Sequence, residues 1–131
     1  MYIISVKPLI PAITVDKVSI EERKPLDVTG TTTGSRPRAI LQWTIWQKDV
    51  TSDATEWSSH ISASDTYTVT SDLKYTVGKS DNGQVLTCKA VNLAASSGLE
   101  SSITLNVKCE LNTVLATNKR KVISELVSVL F

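Results

Sequence analysis

From Tyr67 to Val77 the chain reads YTVTSDLKYTV, and every second residue is apolar or small. Alternation with period two over that length makes a strand with one buried face; a helix would need apolar positions every 3.6 residues. Tyr67, Val69, Ser71, Leu73, Tyr75 and Val77 then share one face. Ser102 to Cys109 alternates the same way, with Ile103, Leu105, Val107 and Cys109 on one side. Gln84 to Asn92 sets Leu86, Cys88 and Ala90 against Thr87, Lys89 and Val91. Leu26 and Val28 open a fourth run, and Ala39 to Trp46 makes a fifth. Turn formers separate them at Thr33-Gly34-Ser35, Ser80-Asp81-Asn82-Gly83 and Ser96-Ser97-Gly98. Short strands at this spacing predict an all-β antiparallel sandwich or barrel.

The composition agrees with a packed domain. The chain has 131 residues, 41% of them hydrophobic, with 14 basic against 13 acidic side chains. That length points to a single domain, and the ordinary apolar content excludes a disordered segment. A net charge of +1 removes the electrostatic basis for nucleic-acid binding. No apolar run approaches the roughly 20 residues that span a bilayer. Lys7 and Pro8 interrupt the first residues before a signal-peptide core forms. The expectation is a soluble domain, either cytosolic or a piece of a longer protein. Residues 1–110 form the domain and 111–131 a C-terminal tail, helical or frayed, in which Val122, Leu126 and Val129 fit helical spacing. Its Lys119-Arg120-Lys121 reads as a solvated face.

Groups for catalysis are scarce. His60 is the one histidine, and its neighbour Ser59 is not a partner on sequence adjacency alone, because nucleophile and base must meet in space. Two distant cysteines with one histidine do not make the three or four convergent ligands of a metal site. Gly34 and Gly83 are isolated turn glycines rather than a phosphate cradle. Asp53, Glu56 and Asp65 read as solvated loop charges. No enzyme activity, cofactor or metal is expected. Trp43 reads as a core residue. Trp46, three residues on, would point to the opposite face, covering the sheet edge or joining a binding face, and Trp57 is similar.

Trp43 and Cys88 carry the specific signal, since immunoglobulin-type sandwiches pack a tryptophan on an inter-sheet disulfide. Four stretches add to it: Val6-Lys7-Pro8-Leu9; Gly34-Ser35-Arg36-Pro37-Arg38-Ala39 with Leu41 and Trp43; Asp81-Asn82-Gly83 with Leu86-Thr87-Cys88-Lys89-Ala90 and Asn92; and Ser97-Gly98-Leu99-Glu100 with Ile103, Leu105 and Val107. In this order they resemble the second-type immunoglobulin domains of arthropod sidestep-like, nephrin-like and nectin-like adhesion receptors. The chain departs from that pattern at three points. Gly30 stands where the family has its first cysteine, Arg38 replaces the second proline of the bend, and Leu86 stands at the tyrosine-corner position.

Cys88 therefore lacks its expected partner. A turn centred on Ala95 would set it opposite Ser102, and one centred on Ser97 opposite Asn106. Cys109 then lies about three to seven residues further, about 10–23 Å at roughly 3.3 Å per residue, beyond the limit of about 7 Å for a bridge. Two free thiols are expected, with Gly30 leaving a small void against the indole. Such a loss costs about 2–5 kcal/mol, which a domain stable by roughly 5–15 kcal/mol survives.

The resemblance implies a structural core of Trp43, Cys88, Gly30, Leu73 and Leu86, with Arg36, Arg38 and Trp46 as binding candidates. It implies a non-catalytic adhesion or recognition module, one domain of a larger cell-surface receptor that binds another immunoglobulin-type ectodomain. The alternative is an intracellular structural immunoglobulin domain of a filament-associated protein, where free cysteines are normal.

Overall fold

A computed structural model describes residues 4–15 and 19–108. The strands are β1 (Ala12–Val15), β2 (Ile20–Glu21), β3 (Pro25–Ser35), β4 (Ile40–Ile45), β5 (Lys48–Asp49), β6 (Ala54–Ile61), β7 (Thr66–Thr76), β8 (Val85–Asn92), β9 (Ala95–Thr104) and β10 (Val107–Lys108). One antiparallel sheet has the order β1-β3-β7-β6 and the other β5-β4-β8-β9; a parallel pairing of β2 with β10 closes one margin. The two sheets face each other as an all-β, immunoglobulin-like sandwich.

The alternation in the sequence sets the core. Val28, Val69 and Leu73 from the first sheet meet Leu41, Trp43, Leu86, Cys88 and Ala90 from the second, all buried. Trp43 pairs with Cys88 across β4–β8, and Gly30 pairs with Ser71 across β3–β7. These four stack at the centre. The indole Nε1–H of Trp43 donates to Ser71 Oγ across the sandwich at 2.9 Å. A buried donor left unpaired would cost about 1–3 kcal/mol, so this bond lets an indole occupy the core.

No void lies beside Gly30, contrary to the sequence expectation. A Cβ there would stand 2.8 Å from Cys88 Sγ and 2.9 Å from Trp43 Cζ2. The indole and the thiol close onto the glycine backbone and fill the space the missing side chain leaves.

Four local readings also change. Trp46 lies beyond β4 in the β4–β5 turn, at φ +57°, rather than on the strand. Ser96-Ser97-Gly98 is inside β9, and the β8–β9 turn is at Leu93-Ala94. Asn92 Oδ1 accepts from both Ala94 N–H and Ala95 N–H at 3.0 Å, closing that turn without glycine. Thr33-Gly34-Ser35 is the irregular end of β3, with a register shift between Thr32 and Ser35. The polar stretch holding Glu56 and His60 is the regular edge strand β6, not a loop. Cys88 pairs with Ser101, one residue from the register set by a turn centred on Ala95 and far from the one that placed it opposite Asn106. Cys109 and the tail at 111–131 lie outside the described residues.

Candidate functional site

The outer face of the β4-β8-β9 sheet is built from the residues that alternate with the core. Where Leu41 and Trp43 turn in, Ile40 and Gln42 turn out; where Cys88 and Ala90 turn in, Lys89 and Val91 turn out. The pairing register arranges these in rows: Ile40 with Val91, Gln42 with Lys89 and Glu100, Thr44 with Thr87 and Ser102, then Val85 with Thr104.

One end of this face is apolar. Ile40 is 54% exposed and Leu93, at the tip of the β8–β9 turn, 81%. With Pro37, Val91 and the exposed Arg38 they line a groove of about 390 Å³. Exposed apolar groups scattered singly need no explanation; here they gather around one groove.

The frame beneath the groove is hydrogen-bonded. Asn92 Nδ2 donates to Val6 O at 2.8 Å and Pro37 O at 3.0 Å, joining the lead-in segment, the bend and the β8–β9 turn. Ser35 Oγ accepts from Ala39 N–H at 3.2 Å. Arg36 donates from Nε to Asp65 O at 2.7 Å, from Nη2 to Ser64 O at 2.9 Å and from Nη1 to Ile4 O at 3.3 Å. Its guanidinium ties the lead-in segment to the β6–β7 turn. Of the three binding candidates, Arg36 thus has its donors engaged in the frame. Arg38 stands exposed beside the groove, with one 3.4 Å hydrogen bond to Ser58 Oγ. Trp46 is 69% exposed at the opposite end of the same sheet.

Lys89 was not singled out from the sequence. Gly98, at φ +83°, lies so close that a Cβ would come within 2.7 Å of Lys89 Cγ. The aliphatic stem of Lys89 therefore rests on the backbone of Gly98. Glu56, read as a loop charge, reaches from β6 to accept Leu41 N–H at 2.8 Å, and Thr51 Oγ1 accepts Trp43 N–H at 2.9 Å. These side chains cap the outer edge of β4. The signal for Glu56 would have been a carboxylate in a strand that flanks an open edge.

Of the core candidates, Trp43, Cys88, Leu73 and Leu86 are all fully buried. Burial pushes the Cys88 thiol up to about 12, with the Glu56 carboxylate adding to the effect. His60 Nε2 lies 2.8 Å from Asp65 Oδ1, and that contact lowers the carboxyl of Asp65 below its ordinary range. No group of three or more His, Cys, Asp or Glu among the described residues is placed to hold a metal. No helix among them is long and apolar enough to cross a membrane.

The profile of the CD80-like C2-set immunoglobulin domain matches residues 11–98. The chain belongs to that family. Solved structures share its fold. The mouse nectin-like molecule 4 full ectodomain, with domains Ig1 to Ig3, is 22% identical at a TM-score of 0.69, covering 80% of this chain and 35% of that one. The Rst D1-D2 structure is 23% identical at 0.70, covering 79% and 51%. Bovine butyrophilin is 15% identical at 0.62, covering 77% and 44%. This C2-set chain thus spans about a third to a half of those molecules. A search of curated protein sequences finds no match.

Proposed function

We propose that this domain is a non-catalytic recognition module of a larger cell-surface receptor, and that it binds another immunoglobulin-type ectodomain. The observation that carries the reading is the groove of Pro37, Ile40, Val91 and Leu93 beside Arg38, set on a hydrogen-bonded frame. Aromatic and arginine side chains dominate binding energy at such surfaces, and apolar pockets receive them. The nectin-like and Rst molecules of similar fold support the setting outside the cell.

The test displays the domain as a multivalent probe against immunoglobulin ectodomains. Binding lost on Ile40→Asp, with an unchanged unfolding midpoint, supports the reading; binding undiminished by that change defeats the assigned surface. One feature favours a second reading, an intracellular structural domain: Cys88 is buried and unpaired, as in reducing compartments. The longer transcript separates the two, since a signal peptide and a membrane span belong to the first and tandem domains without either to the second.

A further inference from the structure

We infer that the domain has a second recognition surface, on the outer face of the β1-β3-β7-β6 sheet, where Trp57 and Asp72 together receive an arginine side chain of a partner protein. The inference goes beyond the groove reading and does not depend on it.

The pairing register builds this surface. Val69, Ser71 and Leu73 of β7 are buried, so the residues that alternate with them, Thr68, Thr70 and Asp72, turn outward. Trp57 of the edge strand β6 pairs with Thr70 and stands on the same side, 53% exposed. Thr55 pairs with Asp72 in the next row. The two rows continue through Thr31 and Thr29 of β3 to Ala12 and Thr14 of β1. An indole half in water thus rises from a floor of short side chains.

Charge decides what such an indole receives. Among the described residues, the outward positions of β1 and β6 hold no lysine or arginine. On β3 and β7 the one outward cation is Lys74, placed opposite Asp27. Asp72 accepts a long hydrogen bond from Thr29 Oγ1 at 3.5 Å. Its carboxyl also contacts that of Asp27, which holds the Asp27 carboxyl above its ordinary range. Two anions against one cation leave this face short of positive charge. The groove on the other sheet has the opposite character, with the cation Arg38 on its rim.

A cation therefore complements the face, and the indole selects which one. Trp57 and Asp72 are diagonal neighbours on adjacent strands, about 7–8 Å apart and within reach of one long side chain. A guanidinium is planar, so it stacks on the indole face while its N–H fork points at the carboxylate. An ammonium is a strongly hydrated point charge with no flat face to stack. Arginine engages both groups at once.

The test is an NMR titration of the 131-residue chain that follows its indole N–H signals, with the Trp57 signal assigned by its loss in Trp57→Ser. The probe is capped Gly-Arg-Gly at millimolar concentration. Capped Gly-citrulline-Gly, which keeps the shape and loses the charge, is the control. The arginine peptide should move the Trp57 signal to saturation and leave those of Trp43 and Trp46 in place. Asp72→Asn should weaken this binding about threefold to fivefold, the scale of an exposed ion pair. Ile40→Asp should leave it unchanged, so that this surface and the groove stand or fall separately.

A Trp57 signal that stays still, that moves equally with citrulline, or that responds undiminished in Asp72→Asn overturns the inference. An equal response at Trp46 does the same, because it marks stacking on any exposed indole. A response to neutral chitotriose in place of the arginine peptide overturns the arginine and makes the surface a sugar platform.

Discussion

Strands β4 and β8 present two surfaces one residue apart, and the two obey different rules. On the inner surface, Trp43 and Cys88 close against Gly30 so tightly that a Cβ at that position would stand 2.8 Å from sulfur. On the outer surface, Ile40 and Leu93 remain mostly in water. The inner residues are fixed by volume, and the outer ones are constrained only by what they meet. The same backbone thus separates fold from recognition by the two-residue period of a strand.

The largest effect should follow removal of the central indole. Trp43→Ala deletes a fully buried side chain and strips Ser71 Oγ of its cross-sheet partner. A loss of about 3–5 kcal/mol in urea unfolding is expected. A loss below about 1 kcal/mol would show that the centre is not packed as described.

Gly30 tests the centre from the other sheet. A Cβ 2.8 Å from Cys88 Sγ is near the roughly 3 Å it keeps from the far sulfur of a disulfide. Gly30→Cys should therefore form the inter-sheet bridge and stand about 2–5 kcal/mol above its own reduced form. Gly30→Ala adds the same Cβ with no bond to absorb the contact, and should cost about 1–3 kcal/mol by overpacking. Equal midpoints for the Cys variant with and without reductant would place Gly30 away from Cys88.

Gly98 is the one place where the outer face is as tight as the core. Its φ of +83° and the Lys89 stem against its backbone both oppose a side chain. Gly98→Ala should cost about 1–2 kcal/mol from the left-handed backbone alone. It should also release Lys89, which Lys89→Ala in the same background checks: the two losses should fall short of additive.

The alternating strands were legible because the apolar residues of β7, β8 and the start of β3 mark one face by themselves. The outer position of Val91 followed from the same phase. Strand β6 was not legible, because its inward positions are Ala54, Glu56, Ser58 and His60 rather than an apolar series. Glu56 serves the edge of β4, a role that depends on a neighbour far away in sequence. Ser96-Ser97-Gly98 looked like a turn because of its residue types, while the true turn is closed by the side chain of Asn92. Ser71 shared a face with Val69 and Leu73 in the alternation, but its bond to the indole needs the facing of two sheets that alternation alone does not specify.

The smallest effect should come from the groove rim. Leu93 is 81% exposed, so Leu93→Ser removes almost no buried area and should change stability by no more than about 0.5 kcal/mol. A second probe reads the same contrast kinetically. The Cys88 thiol, buried and pushed up to about 12, is neutral at about pH 8, so alkylation waits for the sandwich to open. Leu93→Ser should leave that rate at the wild-type value, while Gly30→Ala should raise it in step with its lost stability. If the rim substitution instead speeds alkylation of Cys88, the outer face contributes to the packing of the core, and the two surfaces of β8 are not independent.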